Sequence, residues 1–70
     1  MERQRVSSSN VASIGYDPES STLEVEFLNG SIYQYLNVPS GVYNALAGAS
    51  SHGSFLNREI RDRYATREIR

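Results

Sequence analysis

The stretch "TLEVEFLNGSIYQYLNVP", residues 22–39, decides the fold. Leu23, Val25 and Phe27 alternate with Glu24 and Glu26, the period-2 pattern of a strand buried on one face. Asn29-Gly30 is a strong hairpin signal. Residues 31–38 form the returning strand, and Pro39 stops it because proline has no N–H for a ladder. Two registers compete. In a two-residue type I′ loop at Asn29-Gly30, Phe27 faces Ile32 and Val25 faces Gln34. Tyr33 and Tyr35 then lie opposite Glu26 and Glu24, away from the core. In a three-residue loop, Leu28-Asn29-Gly30, with Gly30 at positive φ, Val25 faces Tyr33 and Leu23 faces Tyr35. The tyrosines then join the core face. A slip of one residue flips every side chain. Aromatic–β-branched cross-strand pairs favour the second register. The first leaves two aromatics on an open sheet, a surface that can stack bases as sheet-based RNA modules do.

Working outward, Val11 to Tyr16 reads as a strand with Ala12, Ile14 and Tyr16 on one side. Asp17-Pro18 opens a turn after it. Beyond Pro39 the period changes. Val42, Leu46 and Ala49 sit at i, i+4 and i+7, which predicts a short helix with a narrow apolar stripe. Residues 49–54 read as a loop, with Ser54 as N-cap of a second helix over 55–69. On that helix Leu56, Ile60 and Tyr64 share a stripe, and Glu59 and Arg63 form an i, i+4 pair. The expected fold is α+β: a three-stranded antiparallel β-meander followed by two α-helices packed on one face, in the order β-β-β-α-α. Residues 1–9 are expected to form a flexible arm, and residues 10–70 a single domain. Strand 11–16, next to that arm, is the expected exposed edge.

Seventy residues make one domain at most, with room for one small core. A formal net charge of −1 argues against a strongly basic nucleic-acid binder. All seven basic residues are arginine, the residue suited to bidentate and stacking contacts. The chain has no cysteine, so disulfides, thiolate metal sites and cysteine catalysis are excluded. The single histidine, His52, reads as an exposed loop residue with no orienting carboxylate beside it. One histidine without cysteine is not a metal site. No nucleophile or acid–base pair stands in context, so no enzyme, cofactor or metal is expected. "MERQRVSSSN" contains no apolar leader core, and no apolar run approaches the roughly 20 residues of a membrane span. A cytoplasmic location is the expectation.

Two segments besides the tyrosines carry binding potential. In "SSHGSFLN", residues 50–57, a Ser/Gly loop feeds a helix start, where free N–H groups favour anions. Asn57 and Arg58 fall in the first turn there. Residues 54–70 hold Arg58, Arg61, Arg63, Arg67 and Arg70 against Glu59, Asp62 and Glu68, a net of +2. On a continuous helix Arg63, Arg67 and Arg70 would share one face, the pattern of a phosphate-tracking edge.

The segments "SSN" (8–10), "IGYD" (14–17), "LEVEF" (23–27), "NGSIYQY" (29–35), "NVP" (37–39) and "SSHGSFLNREIRDRY" (50–64) together resemble the KTSC domain. That domain is named from its occurrence at the C-terminus of some lysyl-tRNA synthetases, and it also stands alone as a small bacterial protein. The resemblance covers roughly residues 8–65. Tyr33 and Tyr35 match its central Y-x-Y motif, and Ser51 and Gly53 match its S-x-G element. It implies no catalytic residue and no cofactor. It suggests RNA binding through attachment to a synthetase, an associational argument. The expected site residues are therefore Tyr33, Tyr35, Ser51, Gly53, Asn57, Arg58, Arg61 and Arg63. The expected partner is RNA or tRNA, bound weakly. The alternative is a protein partner or a second copy pairing through an exposed edge strand.

Overall fold

The hairpin of residues 22–35 turns through the three-residue loop. The Phe27 N–H donates to the Ser31 carbonyl at 2.8 Å, and the Gly30 N–H donates to the Phe27 carbonyl at 2.9 Å. Gly30 has φ +95°, a conformation that costs a residue with a Cβ about 1–2 kcal/mol. Leu23 therefore faces Tyr35 and Val25 faces Tyr33. Glu24 and Gln34 pair on the opposite face.

A computed structural model describes residues 1–70. It has five antiparallel strands, not three: β1 (Arg3–Arg5), β2 (Val11–Asp17), β3 (Thr22–Phe27), β4 (Ile32–Tyr35) and β5 (Thr66–Glu68). Their spatial order is their chain order. The class is α+β, as expected. Helices α1 (Ser40–Ala47) and α2 (His52–Phe55) follow β4, and α2 runs straight into a π-helical segment, Leu56–Ile60. The Arg61 N–H closes that segment onto the Leu56 carbonyl at 2.9 Å, a span of five residues. No helix is long and apolar enough to cross a membrane.

The two additional strands correct the sequence reading at both ends. Arg3–Arg5, placed in a loose arm, pairs with β2, so β2 is an interior strand and not the exposed edge. The second helix ends at Ile60 instead of continuing to residue 69. The chain then turns and returns as β5, with Thr66 opposite Tyr35, Arg67 opposite Gln34 and Glu68 opposite Tyr33. Arg63, Arg67 and Arg70 consequently share no helix face. The start of the helix also moves. Ser51, not Ser54, is the N-cap, its side chain accepting from the Ser54 N–H at 3.3 Å. His52 opens the helix instead of lying in an exposed loop.

Both helices cover one sheet face. Val11, Ile14, Leu23, Val25, Tyr35, Val38, Leu46, Leu56 and Ile60 form the buried core. A register shift between Val11 and Ser13 makes Ala12 the extra residue of a bulge, and so turns Val11 rather than Ala12 inward. Tyr16 stacks on Tyr43 of α1 with ring centroids 5.2 Å apart, and its hydroxyl donates to the Val38 carbonyl.

The uncovered face carries a polar ladder. Arg3 of β1 pairs with Glu24 of β3 and donates to the Ser13 hydroxyl at 3.0 Å. Ser13 donates to Glu26 at 2.9 Å. The Gln34 amide donates to Glu24 at 2.9 Å and accepts from Arg67 of β5 at 2.6 Å. Arg70 reaches Glu26 at 3.1 Å and the Gly30 carbonyl at 3.1 Å. An exposed ion pair such as Arg70–Glu26 contributes only about 0–1 kcal/mol, whereas a buried aliphatic side chain contributes about 1.5–3 kcal/mol. The core thus drives folding, and the ladder fixes which strands take the edges. Burial pushes the Glu24 carboxyl up. The hydrogen bonds from Gln34 and Arg3, together with the Arg3 charge, outweigh it and hold the group below its ordinary range.

Two outcomes follow from these contacts. Gly30→Ala lowers unfolding stability by about 1–2 kcal/mol, read by urea denaturation, with unchanged far-UV circular dichroism. Glu24 has its pKa lowered by folding, so its stabilising contribution is complete above its unfolded-state value of about 4.3 and is lost as pH falls through the folded value. Stability of the wild type therefore drops on acidification through that window. Glu24→Gln shows a smaller drop over the same range, and an identical drop would remove the ladder's charge from the account.

Candidate functional site

The helix layer stops short of the β4–β5 side of the sheet and leaves a cleft of about 790 Å³. Its floor is the core face of the hairpin: Phe27, Tyr33 and Tyr35, with Thr66 from β5. Its far wall is the second helix and the turn after it: Gly53, Leu56, Asn57, Arg61 and Asp62. Its mouth is formed by Ser9 and Asn10 ahead of β2 and by the hairpin loop, Leu28, Asn29 and Ser31.

Each wall follows from local sequence. The three-residue loop turns the tyrosines inward. Phe27 and Tyr33 meet edge to face with centroids 5.6 Å apart. Tyr35 is 4% exposed, yet it lines the cleft, and its hydroxyl is not a buried unsatisfied group. No side chain or carbonyl of the chain pairs with that hydroxyl, in contrast to Tyr16. Burial raises the Tyr35 phenol above its ordinary value. Tyr33 adds to the rise, and the nearby Arg61 guanidinium opposes it.

The mouth depends on a close approach. A Cβ on Gly53 would meet the side-chain amide of Asn10 and push it aside, so the glycine lets the helix start sit against that amide as it stands. The Asn10 oxygen also accepts from the Ser8 hydroxyl at 3.3 Å. The two other asparagines of the cleft are held in the same way. The Asn29 oxygen accepts from the Ser31 N–H at 3.0 Å, and the Asn57 oxygen accepts from Arg61 at 3.2 Å.

Of the residues singled out in the sequence, Tyr33, Tyr35, Gly53, Asn57 and Arg61 come together around this cleft. Three others lie outside it. Ser51 caps the helix. Arg58 pairs with Glu59 at 3.2 Å and lies over the Phe55 ring at 5.9 Å. Arg63 is exposed in the turn before β5. Stacking of two bases across an open sheet face is ruled out, because the register turns both tyrosines towards the helices and buries Tyr35. Sequence reasoning missed Asn10, Asn29 and Asp62. Asn29 was legible only as a turn residue, and Asn10 only as the end of a serine run. No group of three or more His, Asp or Glu side chains converges anywhere in the chain.

The KTSC domain matches residues 7–64, the span that holds the hairpin, both helices and nearly the whole cleft. The chain belongs to the KTSC domain family. A crystal structure of a KTSC domain protein from Yersinia pestis superposes with a TM-score of 0.93 at 41% identity, covering 99% of this chain and 97% of that one. An uncharacterized protein of Stutzerimonas stutzeri is 42% identical over 64 residues, spanning 91% of this chain and 90% of that protein. A lysine–tRNA ligase of Nostoc punctiforme is 31% identical over 59 residues, 84% of this chain but only 10% of the ligase. The KTSC domain thus occurs both as a protein of this size and as a small part of a much larger enzyme.

The Asn10–Gly53 approach has a thermodynamic signature. Gly53→Ala destabilises the wild-type protein. The same change made together with Asn10→Ala costs less, because the obstructing amide is gone. Equal costs in the two backgrounds, measured by a double-mutant cycle, would mean the approach is not close.

Proposed function

We propose that this KTSC domain is a non-enzymatic binding module that holds single-stranded RNA at the cleft between the second helix and the β4–β5 side of the sheet. The observation that carries the reading is the Tyr35 hydroxyl, which belongs to a core residue and yet is open to the cleft without a partner. An accessible phenol on the floor of a cleft can donate to or accept from a bound base. Around it lie the partly exposed Tyr33 ring, amide side chains and Arg61, the mixture that recognises unstacked bases and a phosphate. The lysine–tRNA ligase relatives support the choice of RNA, since a module carried by such an enzyme works beside a tRNA.

Pairing with a protein or a second copy through a sheet edge has less support. The edges are β1 and β5, each three residues long and each bearing arginine, and short charged edges resist pairing.

The test is an amide NMR titration with a mixed-sequence single-stranded RNA and with a tRNA, at low and then moderate salt. Shifts are expected at Tyr33, Tyr35, Asn57 and Arg61. The affinity is expected to fall with salt at a log–log slope of about −0.7 for each contacted phosphate. Absence of any shift with both RNAs at low salt would falsify the reading.

A further inference from the structure

The loop that sets the hairpin register carries chemistry of its own. Asn29 is exposed at the tip, and Gly30 follows it. The Asn29 side-chain oxygen accepts from the Ser31 N–H at 3.0 Å, an Asx turn. That bond swings the carboxamide towards the C-terminal side, over the Gly30 peptide. It also aims an N–H at the oxygen on which charge gathers when the Asn29 Cγ is attacked, the arrangement of an oxyanion hole. Gly30 has no Cβ beside its nitrogen to hinder such an attack, and no heavy atom lies within 4 Å of the place a Cβ would take. One restraint opposes the step. The Gly30 N–H donates to the Phe27 carbonyl at 2.9 Å, and this bond must open first. It stands at an exposed chain reversal, where local opening costs least. The other asparagines are placed differently. Asn10, Asn37, Asn44 and Asn57 precede Val11, Val38, Ala45 and Arg58, each with a Cβ beside the nitrogen. Asn44 and Asn57 also lie within helical segments.

We propose that Asn29 is a site of spontaneous covalent modification, in which the loop attacks itself. The Gly30 nitrogen bonds to the Asn29 Cγ and gives up its proton. The Cγ–Nδ2 bond breaks, ammonia leaves, and a succinimide ring closes. Water then opens the ring at either carbonyl. Opening at Cγ leaves an aspartate in an unaltered main chain. Opening at the main-chain carbonyl leaves an isoaspartate, whose backbone runs through Cγ and is longer by one carbon. No electrons are transferred, and water is the only co-reactant. Both products place a carboxylate at the mouth of the cleft, where Asn29 stands. The isoaspartate has the larger effect. The loop closes through the Phe27 N–H and the Ser31 carbonyl, and its length sets how β4 pairs with β3. An added backbone atom between Leu28 and Gly30 disturbs that closure and loosens the register that turns Tyr33 and Tyr35 inward. The hairpin thus has a built-in lifetime, set by the same Asn29-Gly30 pair that forms its turn.

The experiment holds the full chain in warm, mildly alkaline buffer and follows it by ion-exchange chromatography, with mass spectrometry of its proteolytic fragments. A more acidic species is expected to accumulate, carrying aspartate and isoaspartate at position 29 while the four other asparagines stay intact. Asn29→Gln is expected to form no such species, because the longer side chain has to close a larger and slower ring. Asn29→Asp supplies the plain carboxylate for comparison. Its amide NMR spectrum should differ from the wild type only around the loop. The isolated isoaspartate form should also shift Tyr33 and Tyr35, and should melt at a lower temperature than Asn29→Asp. An acidic species that arises first at another asparagine overturns the proposal. So does a wild type that stays intact while the same chain in concentrated urea is modified at Asn29, since the folded loop then blocks the attack. An isoaspartate form with the spectrum and melting temperature of Asn29→Asp overturns the effect on the hairpin.

Discussion

The position of one glycine sets the geometry of the whole domain. With Gly30 at positive φ closing a three-residue loop, β4 returns along β3 with its tyrosines under the helices and Gln34 beside Glu24. A two-residue loop would exchange these faces, placing Gln34 in the core and both tyrosines in solvent. The core, the polar ladder and the cleft all depend on that register. The core needs Tyr35 to fill the space above Leu23. The ladder needs Gln34 to bridge Glu24 and Arg67. The cleft needs the Tyr35 hydroxyl to emerge where the helix layer ends.

The ladder explains how so short a chain keeps a five-stranded sheet. Each end strand has only three residues, few backbone hydrogen bonds and little apolar surface. Arg3 ties β1 to β3 across β2, and Arg67 and Arg70 tie the C-terminal strand to Gln34 and Glu26. Glu24 is the hub, nearly buried and held ionised by its partners. The arginines counted as a candidate phosphate-binding edge are therefore largely engaged in holding the sheet together.

The cleft arises where two structural elements end. The helix stops at Ile60 because the following residues pair with β4 instead, and the hairpin loop ends the sheet on the other side. Between them lie exposed amide side chains, a phenol with no partner in the chain, and an arginine next in sequence to a carboxylate. Their concentration at one mouth distinguishes this place from the rest of the surface.

Much of this was legible from local pattern. The alternation of 22–28, the Asn29-Gly30 signal, Pro39 and the Leu46, Leu56 and Ile60 spacing determined the hairpin, the two helices and most of the core, because each is governed by neighbours within a few residues. The KTSC motifs placed Tyr33, Tyr35 and Gly53 among the residues of interest. What the tertiary structure alone decided is the fate of the two ends and the membership of the cleft. Residues 3–5 and 66–68 have no strand periodicity of their own. They are strands because β2 and β4 offer free ladder groups and because Glu24, Glu26 and Gln34 present partners for their arginines. Residues 61–69 carry helix formers, yet pairing with β4 outweighs a propensity of a few tenths of a kcal/mol per residue. Asn10 and Asp62 lie 52 positions apart in the chain. They meet in one cleft only after the sheet and helix have packed, which no local pattern encodes.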